Sequence, residues 1–126
     1  MATTTSPPPL PRCRRTPNCV STQASDPEKK MDPIPYAGTP EEARERLLAA
    51  LRAWPRAKIV REEPGAITVV CRSRFFRFVD DVDFRFDDEA RLIHFRSASR
   101  LGRRDFGVNR ERMEGIRKRY LANDGS

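Results

Sequence analysis

An α+β fold in the order αββββα, a four-stranded antiparallel meander with both helices packed on one face, is the architecture this sequence predicts. Three observations carry it. A capped helical pattern covers residues 39–54, four β-rich runs follow between residues 57 and 96, and a second helical pattern opens at Asn109. The last two β-rich runs alternate apolar with charged residues, which gives the sheet one face to bury and leaves the helices a single side to cover.

The first helix has its start written into it. Thr39 is placed as N-cap, Pro40 takes the first helical position and Glu42 closes a capping box. Ala43, Leu47, Ala50, Leu51 and Trp54 then recur on one face, and Pro55 ends the pattern. Residues 57–62 and 66–72 flank Glu63-Pro64-Gly65, a hairpin signal. In the second of these runs Ile67, Val69 and Cys71 alternate with Thr68, Val70 and Arg72, which turns Cys71 toward the core.

Val82, Phe84 and Phe86 alternate with Asp83 and Arg85, and Ile93 and Phe95 alternate with His94 and Arg96. With residues 87–90 as the connecting loop, Phe86 faces Arg91, Phe84 faces Ile93 and Val82 faces Phe95. The charged face then pairs Asp83 with His94 and Asp81 with Arg96, and Asp80 turns inward opposite Ser97. A carboxylate among Phe76, Phe78 and Phe84 must be hydrogen-bonded or ion-paired. Asp80 and Asp81, adjacent in a strand, point to opposite faces and do not form a paired acid and base. In the second helix Asn109 reads as N-cap, Val108 and Met113 as a hydrophobic staple, and Met113, Ile116 and Tyr120 as the apolar face. Its start offers free N–H groups and a positive dipole end, near Arg100, Arg110 and Arg112.

With 126 residues, 37% of them hydrophobic and 34% charged, the chain holds material for one domain and one core. Residues 1–38 carry eight prolines and little apolar periodicity, so they read as an extended or disordered arm with a Cys-containing turn; residues 39–122 form the α+β domain. The net charge of +7 is concentrated in residues 91–119, where ten Lys or Arg meet only Asp105, Glu111 and Glu114. Such a region attracts nucleic acid, an anionic membrane or a small anion. Arginine makes up 21 of the 25 cations, however, and a GC-rich genome produces that bias as readily as function does.

Three irregularly spaced cysteines give neither a disulfide framework nor a four-ligand zinc site. Cys13 and Cys19 can pair in an oxidising compartment; Cys19 otherwise reads as a small buried side chain rather than a reactive thiol. No transmembrane run is present and the first twelve residues lack the apolar stretch of an export signal, so a cytoplasmic location is the default expectation.

The sequence contains no nucleophile elbow, Walker loop, H-E-x-x-H or C-x-x-C. The single histidine, His94, falls on the charged sheet face. Ser97 or Ser99 as nucleophile needs a base, and Asp80 is the nearest, which defines a small hydrolase as one alternative. Nucleic-acid binding requires exposed aromatics among the cations, but Phe76, Phe78, Phe84, Phe86 and Phe95 are needed for the core. The expectation is a non-catalytic binding or assembly module. Its polar corner, formed by Asp80, Ser97, Ser99, Arg100, Asp105, Asn109 and Arg110, receives an anionic group from a small ligand or protein partner; a buried structural network is the other alternative. No metal and no cofactor are expected.

Thr16-Pro17-Asn18-Cys19-Val20-Ser21, Phe78-Val79-Asp80-Asp81-Val82 and Arg96-Ser97-Ala98-Ser99-Arg100-Leu101-Gly102, continued by Asp105, Gly107, Asn109, Arg110 and Arg112, closely resemble the family called domain of unknown function fourteen-ninety-nine. The likeness covers roughly residues 13–121 and rests on three separated motifs in the same order. It implies that Cys13 and Cys19 stand in the arrangement typical of the family. It also implies that Asp80, Asp81, Ser97, Ser99, Arg100, Asp105, Asn109 and Arg110 act together. Many relatives carry an N-terminal export or membrane segment not seen here, and a histidine usual in the family is replaced at about Lys29. The resemblance supplies no activity.

Overall fold

The computed structural model describes residues 8–13, 18–72, 79–100 and 107–122. In chain order the elements are β1 (Cys19–Ser21), β2 (Ile34–Pro35), α1 (Pro40–Arg52), β3 (Ala57–Glu63), β4 (Ala66–Arg72), β5 (Val79–Asp87), β6 (Leu92–Ser99) and α2 (Val108–Ala122). The strands form one sheet in the order β1-β6-β5-β4-β3, with β2 also on β6. The class is α+β, and β3 to β6 are the expected antiparallel meander.

Among the described residues the sheet has six strands rather than four. Both additions come from the stretch read as an arm, and they lie end to end along β6: Cys19 to Ser21 pair with Ala98 to Arg96, and Ile34 and Pro35 with Ile93 and Leu92. Strands of three and two residues are too short to show a period. Burial, not pairing length, holds them, because Val20, Met31, Ile34 and Tyr36 all enter the main core. Tyr36 also donates its hydroxyl to Asp88 Oδ1 at 2.7 Å, and burial together with that carboxylate pushes the phenol well above its ordinary pKa.

Helix α1 starts as its sequence dictates: Glu42 N donates to Thr39 Oγ1 at 3.1 Å, and Thr39 N donates to Glu42 Oε1 at 2.9 Å. Such a cap contributes about 1 kcal/mol. Between β3 and β4 the turn is Pro64-Gly65, with Gly65 at φ 77°, where a residue without Cβ is unstrained.

The β5–β6 register differs from the expected one. Phe86 faces Ile93, Phe84 faces Phe95, Val82 faces Ser97, Asp83 faces Arg96, Asp81 faces Ala98 and Asp80 faces Ser99. β5 continues through Asp87, and Arg91, at φ 58°, belongs to the turn instead of to β6. The pairing thus moves by one full pleat, so every side chain keeps its expected face while its partner changes. Helix α2 begins two residues earlier than an N-cap at Asn109 would place it. Asn109 lies inside the first turn, Gly107 O accepts from Glu111 N at 2.9 Å, and Val108 is 46% exposed and staples nothing.

Both helices bury their apolar faces in the same core as the sheet: Leu47, Leu48 and Leu51 from α1 and Met113, Ile116 and Tyr120 from α2 meet Phe84, Ile93 and Phe95. The residues Phe76, Phe78 and Asp105 lie outside the described ones. Among the described residues no helix is long and apolar enough to cross a membrane. At the helix–helix contact Trp54 packs over Gly115, Arg119 covers the indole at 5.5 Å, and the same guanidinium donates to Ala53 O at 3.2 Å.

A Cβ on Gly115 would stand 2.4 Å from Trp54 Cη2. Gly115→Ala is therefore expected to cost about 1–2 kcal/mol by overpacking, outweighing alanine's helix-propensity gain of about 1 kcal/mol. In a Trp54→Leu background the same substitution is expected to be neutral or stabilising. Urea denaturation of the four proteins measures the difference, and equal losses in both backgrounds contradict this packing.

Candidate functional site

Asp80 points from β5 into the apolar layer, where an isolated carboxylate is untenable. Arg112, on the first turns of α2, reaches it: NH2 donates to Asp80 Oδ2 at 2.6 Å, with the two side chains only 9% and 7% exposed. The same guanidinium donates through NH1 to Asn109 Oδ1 at 2.9 Å and to Ser97 Oγ at 3.2 Å. Asn109 and Arg112 are three apart, so the helix presents them on one face.

Ser97, fully buried on β6, donates its hydroxyl to Asn109 Oδ1 at 2.6 Å. The Asn109 amide nitrogen donates onward to Ser99 Oγ at 3.1 Å and to Asn18 O at 3.2 Å, and Ser99 N donates to Asn18 O at 3.0 Å. One connected cluster therefore ties β5, β6, α2 and the residue preceding β1. Asp80 Oδ1 is enclosed without a hydrogen-bond partner.

Of the residues expected at the polar corner, Asp80, Ser97, Ser99 and Asn109 come together. Arg100 does not join them. It lies on the opposite sheet face, forking onto Asp81 with Nε to Oδ2 and NH2 to Oδ1 both at 2.9 Å, and that carboxylate raises the guanidinium's pKa. Arg110 turns away as well, donating to Glu28 O at 2.7 Å and Lys30 O at 3.4 Å. Asp105 is outside the described residues. Arg112 is the member the expected set lacks. Its signal was present: an inward carboxylate that demands a cation, and an arginine one turn after an asparagine on the facing helix.

Three other arginines of α2 have a common use. Arg110, Arg117 and Arg119 all donate to backbone carbonyls, Arg117 to Asp32 O at 3.0 Å and Pro33 O at 3.1 Å. These carbonyls sit in segments too irregular to pair them in a ladder, and a guanidinium with five donors is suited to the task.

On the outer, charged face of the sheet, Asp83 accepts from Thr68 Oγ1 at 2.9 Å and lies 3.7 Å from Arg96 and 4.0 Å from Arg85. Asp81, Asp83, Arg61, Arg96, Arg100 and the apolar Val60 and Val70 line an open groove of about 430 Å³ there. His94 shares a 2.9 Å hydrogen bond with Thr22 Oγ1. Cys71 is buried beside Asp80, and burial pushes its thiol pKa up. Among the described residues no three His, Cys, Asp or Glu side chains are grouped to hold a metal ion.

Breaking the buried pair from one side leaves a charge without compensation. Asp80→Leu is expected to cost about 3–5 kcal/mol, and adding Arg112→Met should recover most of that loss. Urea denaturation of the two single variants and the double variant tests this; additive losses contradict the pairing.

No curated protein and no solved structure matches the chain. A family model described as a protein of unknown function does match it, over residues 9–120, a span that contains both Cys13 and Cys19 and every residue of the buried cluster. The chain belongs to the family of unknown function DUF1499.

Proposed function

We propose that the protein is a non-catalytic binding or assembly module that receives an anionic group of a small ligand or partner protein on the outer face of its sheet, at Arg100. The closure of the Asp80–Arg112 cluster carries this reading. With Arg112 engaged by Asp80, Ser97 and Asn109, that corner is a clamp. Arg100 is 53% exposed and opens onto the same groove as Arg61 and Arg96. An incoming carboxylate or phosphate would take over the planar fork that Asp81 now occupies.

The hydrolase alternative has weaker support, because Ser97 donates to an amide oxygen that cannot accept its proton and Asp80 directs one oxygen at Arg112. A nucleic-acid role is disfavoured by the engagement of Arg110, Arg117 and Arg119 with backbone carbonyls. Assembly by strand addition at β3 is also disfavoured, since Lys58, Arg61, Glu62 and Glu63 and a register shift between Ile59 and Arg61 blunt that edge. The cytoplasm, the expected location, is a compartment in which thiols are held reduced.

Sulfate, phosphate and acetate titrations followed by thermal denaturation test the proposal. A saturable rise in Tm is expected, following RT ln(1 + [L]/Kd). Arg100→Lys should weaken it, Asp81→Asn should shift saturation to lower anion concentration, and the exposed Arg52→Lys should leave it unchanged. A Tm that does not saturate, or that ignores Arg100→Lys, rejects the outer face as the anion site.

A further inference from the structure

A disulfide joins Cys13 to Cys19, and the chain before it, residues 8–13, forms a strap over the outer face of the sheet. Two contacts fix where it lies. Cys19 pairs with Ala98 on β6 at one end, and at the other Pro8 O accepts from Arg85 Nε of β5 at 2.6 Å. Pro8, Pro9 and Pro11 have no N–H, so the strap cannot enter the sheet as a strand. Among the described residues its other anchors are the burial of Leu10 and the disulfide itself.

The two ends of the disulfide are held very differently. Cys19 is 1% exposed, and its strand is secured independently by pairing with β6, by Val20 in the core and by the bonds that Asn109 and Ser99 make to Asn18 O. Cys13 is half-buried and lines a groove of about 700 Å³ between Pro9 to Arg12 on one side and Ser21 and residues 23–26 on the other. Cys19 does not line it.

We infer that Cys13–Cys19 is a redox-addressable staple: a dithiol entering this groove opens it at Cys13 and releases the strap from the outer sheet face while the sheet stays folded. The incoming thiolate attacks Cys13 Sγ and forms a mixed disulfide. The bond to Cys19 Sγ breaks, and Cys19 leaves as a thiolate that takes up a proton. The second thiol of the reductant, as thiolate, then attacks the mixed disulfide, frees Cys13 and closes the reductant's own disulfide, so two electrons pass from the dithiol to the protein. Release uncovers the Arg85 guanidinium and the site that Leu10 occupies. The inference does not depend on what the outer face binds.

The full chain serves for the test, with dithiothreitol as the dithiol and glutathione as a monothiol probe. Tryptic cleavage after Arg12 should be at least tenfold faster in dithiothreitol than in the oxidised protein, and Cys13→Ser should reproduce the fast rate without reductant. The glutathione adduct should form on Cys13. Buried Cys71 reports on unfolding and should resist alkylation under the same conditions. Equal cleavage after Arg12 in both redox states would show that the bond does not hold the strap. An adduct on Cys19 would overturn the route of entry, and alkylation of Cys71 in step with strap release would make the disulfide a staple of the whole fold.

Discussion

The contact on which the arrangement depends is the 2.6 Å ion pair between Asp80 and Arg112. An inward carboxylate on β5 forces a cation into the apolar layer, and the nearest helix supplies it. Once Arg112 is there its remaining donors must be used, which fixes Asn109 and Ser97; Asn109 in turn reaches Ser99 and the carbonyl of Asn18. Each step follows from the cost of an unmet polar group in a low-dielectric interior. Such a pair adds little net stability over an apolar core of the same shape. Its effect is on which arrangement is reached: α2 can dock only where Arg112 meets Asp80, and β1 only where Asn18 meets Asn109.

This reframes the basic C-terminal third. A concentration of positive charge usually indicates a polyanionic partner, but here Arg110, Arg117 and Arg119 serve carbonyls of the irregular segment around residues 28–33 and of the end of α1. The charge excess is to a large extent internal scaffolding. On the other side of the sheet Arg100 is half-exposed, and the disulfide-held strap meets Arg85 through Pro8 O.

Much of the fold was legible because local signals agreed with the global pattern. The capping box at Thr39, the Pro64-Gly65 turn and the alternation in β4, β5 and β6 each point the same way as the core they build. The β5–β6 register was not legible, since apolar alternation has a period of two and cannot distinguish pairings one pleat apart; the left-handed conformation of Arg91 decided it. β1 and β2 were hidden by their length. Of the polar corner, Asp80, Ser97, Ser99 and Asn109 were readable as neighbours, because strand parity and the helix start converge on them. Arg100 was misplaced for a related reason: it follows β6 on the parity of the outer face, where Asp81 takes it. Asn109 fits an N-cap and a buried amide equally well by type, and only the position of Gly107 ahead of it separates the two uses.

The claim that the buried cluster positions α2 and β1 is tested most directly by native-state amide hydrogen exchange in the Asp80→Leu/Arg112→Met protein. There the core stays apolar while the guanidinium that organises Asn109 and Ser97 is gone. The amides of Ser99, bonded to Asn18 O, and Glu111, bonded to Gly107 O, should lose at least tenfold in protection while those of β4 and β5 keep theirs. Ser99 and Glu111 remaining as protected as the centre of β5 would contradict it.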